Sequence, residues 1–130
     1  MTLYGLETSD LAPTRLDLPV GEALTLITST VQSTAAVGDL LRVRTEWQTN
    51  AQAPELRFSL RLVDSAGNLA ITDDYVPQNW FAPTNVWVVG ASARDQRALL
   101  LPDDLPAGSY TLALRLYDPA SGAAVATALG

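Results

Sequence analysis

The chain has 130 residues and a formal charge of −6, and it contains neither cysteine nor histidine. Disulfides, thiolate metal sites, histidine-based catalysis and a titrating switch near neutrality are therefore excluded. Lysine is absent too, so the eight basic residues are all arginine and every positive charge is fixed at ordinary pH.

One domain fits this length, and folding then buries roughly two-thirds of the unfolded chain's surface. The acidic balance and the scattered arginines oppose nucleic-acid or anionic-membrane binding. No apolar stretch approaches the ~20 residues of a membrane helix, so no membrane insertion is expected of this segment. Met1-Thr-Leu-Tyr-Gly-Leu-Glu7 does not have the basic, then apolar, opening of a secretory signal.

Residues 1–22 are the least patterned part. Pro13, Pro19 and Gly21 punctuate them, which predicts a lead-in segment with one short edge strand around Arg15 to Leu18. Residues 23–130 then alternate with period two, and turn residues recur every eight to twelve positions. Leu24 to Val31 is rich in β-branched residues and reads as a strand. Ser33 to Val37 leads to a turn at Gly38-Asp39, after which Leu41, Val43, Thr45 and Trp47 share one face.

Asn50 to Pro54 is a loop. Leu56, Phe58, Leu60 and Leu62 then alternate with Arg57, Ser59 and Arg61, and the turn Asp64-Ser-Ala-Gly-Asn68 makes a hairpin with Leu69 to Thr72. From Val76 to Gly90 prolines and asparagines interrupt Trp80, Phe81 and Trp87, predicting a long loop with a short strand at Val86 to Val89. Arg97 to Leu101 resumes as strand until Pro102 stops it. Tyr110, Leu112, Leu114 and Leu116 line one face of the next strand, and Asp118-Pro-Ala-Ser-Gly122 returns a last strand, Ala123 to Leu129, beside it.

The pattern is that of an all-β, immunoglobulin/fibronectin-III-like two-sheet sandwich of seven or eight antiparallel strands. Leu105-Pro-Ala-Gly-Ser-Tyr110 places an aromatic hydroxyl just after a tight turn at a strand's start. That is the tyrosine-corner arrangement, which predicts a hydrogen bond from Tyr110 to backbone a few residues upstream. Trp47, Phe58, Tyr110, Leu112 and Leu114 are the expected structural core.

Several features keep a fixed order: Gly38-Asp39, Trp47, Leu62 with Asp64 and Gly67, Pro83-Thr84 with Trp87, and Leu105 through Gly122. From Leu24 to Val125 this order resembles the extracytoplasmic C-terminal β-sandwich modules of bacterial membrane glycosyltransferases of the dolichyl-phosphate-mannose type, and of related surface proteins. The sequence departs from that pattern after Trp87, where Val88-Val89-Gly90-Ala91 stands in place of a Pro-Gly-Glu type of turn. The resemblance implies an accessory module in the cell envelope. It transfers no catalytic residue, because the chemistry of such proteins lies in their membrane part.

Catalysis is not expected. Without histidine, lysine or cysteine the common triads and dyads cannot be assembled. Asp73-Asp74 and Asp103-Asp104 are the paired carboxylates, but neighbours on a strand point to opposite faces, and aspartate beside a turn commonly serves local hydrogen bonding. Only a hard cation such as calcium would suit Asp64, Asn68, Asp118 or Asp103-Asp104, and none of these has EF-hand spacing; no metal or other cofactor is expected.

Two binding readings remain. A sandwich can dock a protein domain on a sheet face or an edge, and outward Val63, Tyr117 and the apolar last strand are the places expected. Alternatively, the aromatic-rich segment Tyr75, Asn79, Trp80, Phe81, Asn85 and Trp87 offers rings and amides to a carbohydrate, with Trp80 the ring expected to be exposed.

Overall fold

Leu41, Val43, Thr45 and Trp47 turn to one side of a ten-residue strand and are all buried, while Arg42 and Arg44 between them are exposed. This alternation is repeated along the chain and builds two sheets. The computed structural model describes residues 2–4, 14–31, 34–78 and 82–129.

The strands are β1 (Thr2–Tyr4), β2 (Thr14–Val20), β3 (Leu24–Val31), β4 (Thr34–Ala36), β5 (Leu40–Thr49), β6 (Arg57–Asp64), β7 (Leu69–Tyr75), β8 (Ser92–Leu100), β9 (Gly108–Tyr117) and β10 (Ala124–Leu129). One sheet has the order β2-β3-β5-β8. The other runs β4-β1-β9-β6-β7, with β10 also paired to β9. All pairings are antiparallel except that of the two three-residue strands β1 and β4. The protein is thus a two-sheet antiparallel β-sandwich.

The inward faces of the two sheets meet in one core. Leu24, Leu26, Leu41, Val43 and Leu99 come from one sheet, and Phe58, Leu60, Leu62, Leu112, Leu114 and Leu116 from the other. At its centre Trp47 of β5 packs on Phe58 of β6 across the layers, with ring centroids 5.4 Å apart. Phe58 in turn meets Tyr75 at 5.7 Å, edge-on. Tilted and edge-on contacts at such distances add to area burial because the ring edge and face carry opposite partial charge.

Several buried polar groups of this core are paired, while the buried Thr49 hydroxyl has no hydrogen-bond partner among the described residues. The Trp47 indole donates to Thr45 Oγ1 at 2.8 Å on its own strand. Tyr110 begins the buried run of β9 and donates its hydroxyl to the Pro106 carbonyl at 2.6 Å, which is the corner predicted from sequence.

The lead-in region contributes β2, an edge strand that carries Pro19 where no further ladder is needed. Asp17, at φ 47°, forms a bulge there, and its carboxylate takes the Arg15 guanidinium at 2.9 Å. Two sequence expectations are corrected. Val86 to Val89 is not a strand: Thr84–Val86 form a single 3-10 turn, because the Val86 and Trp87 amides bond back to the Pro83 and Thr84 carbonyls. Asp73 and Asp74 do not flank a turn but stand inside β7, which runs on to Tyr75 because Tyr75 pairs with Phe58.

Candidate functional site

Two places carry polar or apolar groups beyond what the core needs. The first is the flank where β7, at the edge of one sheet, faces β8, at the edge of the other. On β7 the inward positions are Ile71, Asp73 and Tyr75; on β8 they are Ala93, Asp95, Arg97 and Leu99. The gap between the sheets is closed here by polar pairs instead of leucines.

Asp95 is the centre of this clasp and only 2% exposed. Its Oδ2 accepts the Tyr75 hydroxyl at 3.0 Å, and its Oδ1 accepts the Gln78 amide at 2.6 Å. Gln78 sits at φ 58°, uncommon for a residue with a side chain, and its side-chain amide also donates to the Arg94 carbonyl at 2.9 Å. Arg97 makes a two-point contact with Asp73 at 2.8 and 3.1 Å and lies over the Tyr75 ring, 4.6 Å from its centroid.

Burial pushes the Asp95 carboxyl up from its ordinary range, against the hydrogen bonds from Gln78 and Tyr75 that favour the charged form. Burial, then the neighbouring Asp95 charge, holds the Tyr75 hydroxyl far above its ordinary value. The hydrogen bond that Arg97 donates to Asp73 raises Arg97 further. Both Asp95 oxygens are engaged and shielded from water, so this cluster joins the sheets and fixes the start of the β7–β8 loop; it presents no group to a ligand.

The second place is the end of the sandwich where the β2–β3, β5–β6 and β7–β8 loops gather. Thr84 ties two of them: its buried hydroxyl donates to the Pro54 carbonyl at 2.6 Å and accepts the Leu56 amide at 2.8 Å. Gln52 donates to the Asn85 carbonyl at 2.7 Å. The Asn50 amide group donates to Thr25 Oγ1 at 2.8 Å, and the Asn50 backbone to the Ala23 carbonyl at 2.7 Å. Such ties hold irregular segments at a fixed height above the sheets.

Between the β2–β3 and β5–β6 loops lies a cleft of about 300 Å³, walled by Val20, Leu24, Pro54 and Leu56, with Glu22 and Gln52 also lining it. Beside it the β7–β8 loop exposes Val86, Val88 and Val89, at 60%, 71% and 51%. These three valines, close in sequence and beside an apolar cleft, are three of the seven large apolar side chains exposed among the described residues.

The candidates drawn from sequence fall as follows. Tyr75 and Trp87 are corrected: they are 2% and 6% exposed, so neither ring offers a face to a sugar. Trp87 packs against both Trp47 and Phe58 at 6.3 Å and donates its indole N–H to the Ala82 carbonyl at 3.0 Å. Asn79, Trp80 and Phe81 lie outside the described residues. Trp47, Phe58, Tyr110, Leu112 and Leu114 all sit in the core.

Val63 and Tyr117 are half-buried, and the side chains of the last strand beyond Ala124 lie outside the described residues. Asp64 Oδ1 accepts the Ala66 and Asn68 amides, and Asp118 Oδ1 the Ala120 amide, so both carboxylates shape their hairpin turns. Among the described residues no group of three acidic side chains is placed to hold a metal ion. No described helix is long and apolar enough to cross a membrane.

Sequence reasoning missed Asp95, Asp73 and Arg97 as a unit, and it missed the exposed valines as a group. The usable signal for the valines was the apolar Val88-Val89 pair standing in a loop that carries no strand pattern. Comparison with protein-family models, with curated proteins and with solved structures gave no match.

Proposed function

We propose that this chain is a non-catalytic interaction module that docks a protein partner through its loop end. The observation that carries this reading is the grouping of exposed Val86, Val88 and Val89 beside the apolar cleft. Loops held by buried side-chain ties give such a surface a defined shape before binding, which lowers the entropy lost on association.

Its fold type is immunoglobulin/fibronectin-III-like. Support comes from the strand order, with β3-β5-β8 facing β7-β6-β9-β10, and from the tyrosine corner that opens the next-to-last strand. The motif order from Leu24 to Val125 supports an accessory role in the cell envelope, which fractionation of cells producing the intact protein tests directly. The carbohydrate reading loses the Tyr75 and Trp87 rings of that loop to the core.

The test places a photo-crosslinking residue at Val88 or, as a control, at exposed Thr111 on the outer face of β9. A discrete adduct formed from Val88 in the producing cells is expected, absent from Thr111 and lost when Val86→Asp and Val89→Asp are introduced. Equal labelling from both positions, or an adduct indifferent to the two aspartates, overturns the loop end as the docking surface.

A further inference from the structure

The outer face of the β7-β6-β9 sheet is basic on a chain whose formal charge is −6. Arg57 and Arg61 point outward from β6, and Arg115 from β9 stands opposite Ser59, between them. Among the described residues of this face Asp74 of β7 is the one carboxylate set against these three guanidinium groups. Arg61, Arg115, Asp74 and Tyr117 wall a cleft of about 220 Å³.

Each wall has a distinct chemistry. Arg61 Nε rests on the Ser59 hydroxyl at 3.4 Å, a neutral partner that steadies the side chain without cancelling its charge. Arg115 has no carboxylate within ion-pair distance among the described residues. Tyr117 donates its hydroxyl to Asp74 Oδ2 at 3.2 Å, and the Arg57 guanidinium also interacts with this phenol. The aromatic ring is thereby held at the edge of the cleft.

We propose that this cleft binds a carboxylate-bearing sugar, a uronic-acid residue of an acidic polysaccharide. The two planar guanidinium forks match the sugar carboxylate, the Tyr117 ring offers an apolar face, and Asp74 accepts sugar hydroxyls. Its volume lies below the ~300–1,000 Å³ of drug-sized sites, which suits a single residue of a longer chain.

An acidic peptide fits less well for two reasons. β6 is paired on both sides, to β7 and β9, and β9 to β6 and β10, so neither strand that carries the cleft's arginines offers a main-chain edge for strand addition. Asp74 inside the cleft also repels a second carboxylate but welcomes a hydroxyl. This site is separate from the loop end and does not depend on docking there.

The test is calorimetric titration of the full chain with tetragalacturonate, with a neutral galactan oligomer of the same length and with poly-L-glutamate as comparisons. Tetragalacturonate binds, its affinity falls as salt rises, and the neutral oligomer does not bind. Arg61→Gln and Arg115→Gln each weaken binding about tenfold or more, as loss of a charge-assisted contact implies. Arg115→Lys, which keeps the charge but not the fork, falls between, and Arg42→Gln with Arg44→Gln on the opposite sheet leaves binding unchanged. Circular dichroism confirms that each variant is folded. Absence of uronate binding, binding indifferent to Arg61 and Arg115, or poly-L-glutamate binding as tightly as the uronate overturns the proposal.

Discussion

The Tyr75 hydroxyl donates to the Asp95 carboxylate at 3.0 Å, joining the edge strand of one sheet to the edge strand of the other. The bond sits where burial disfavours the charged carboxyl and raises its pKa. A carboxyl whose folded pKa exceeds its unfolded value binds protons more tightly when folded, so folding stability gains as pH falls. For Asp95 that gain begins at the raised folded pKa and is complete below the ordinary value of 3.8. Asp95→Asn removes the titration while keeping an acceptor for the Gln78 amide. Urea denaturation at a series of pH values therefore shows wild type gaining on Asp95→Asn as pH falls; a flat or opposite trend contradicts a desolvated Asp95. Asp95→Ala strands the Tyr75 hydroxyl and the Gln78 amide and costs about 1–3 kcal/mol at neutral pH.

Trp87 was one of the residues offered to a sugar, and its burial at 6% exposure against Trp47 and Phe58 makes a different prediction. Trp87→Ala empties a core position and costs about 3–5 kcal/mol of stability. Thermal and urea unfolding measure it. A variant that keeps wild-type stability places the ring outside the core and reopens the loop as an aromatic platform.

The core strands were legible because their inward residues are apolar and their outward ones are not. Leu41 to Trp47 and Tyr110 to Leu116 each combine period-two alternation with β-branched or leucine side chains, and each is buried as read. β8 failed the same test at its start, where four of the five residues of Ser92-Ala-Arg-Asp-Gln96 are polar. Its inward side carries Asp95 and Arg97, whose partners Tyr75, Gln78 and Asp73 are distant in sequence. A polar residue that is buried because another strand satisfies it leaves no local periodic signal. The arginine face was hidden for the same reason: Arg57, Arg61 and Arg115 become neighbours only through the β6–β9 register.

Gly38 is set by both backbone and space. It turns the chain into β5 at φ 83°, and its amide donates to the Leu101 carbonyl at 2.7 Å. A Cβ built there lies 2.7 Å from Asp103 Oδ1. Gly38→Ala therefore strains the left-handed backbone by about 1–2 kcal/mol and displaces the Asp103 carboxylate. Pairing it with Asp103→Ala removes the crowding but not the strain. Unfolding free energies then show Gly38→Ala destabilised alone and only partly recovered in the double variant; full recovery assigns the whole effect to Asp103.

The tyrosine corner makes the last prediction. Tyr110 is 6% exposed, and its hydroxyl reaches the Pro106 carbonyl at 2.6 Å across the turn that leads from β8 into β9. Tyr110→Phe keeps the ring in the core and deletes only the donor, leaving the Pro106 carbonyl without it. A buried neutral hydrogen bond of this kind contributes about 1 kcal/mol net. The denaturation midpoint falls by that free energy divided by the slope, with the slope itself unchanged, because the surface exposed on unfolding is the same. A midpoint equal to wild type makes the corner dispensable. A changed slope instead means that the hydroxyl holds the whole β8–β9 turn in place.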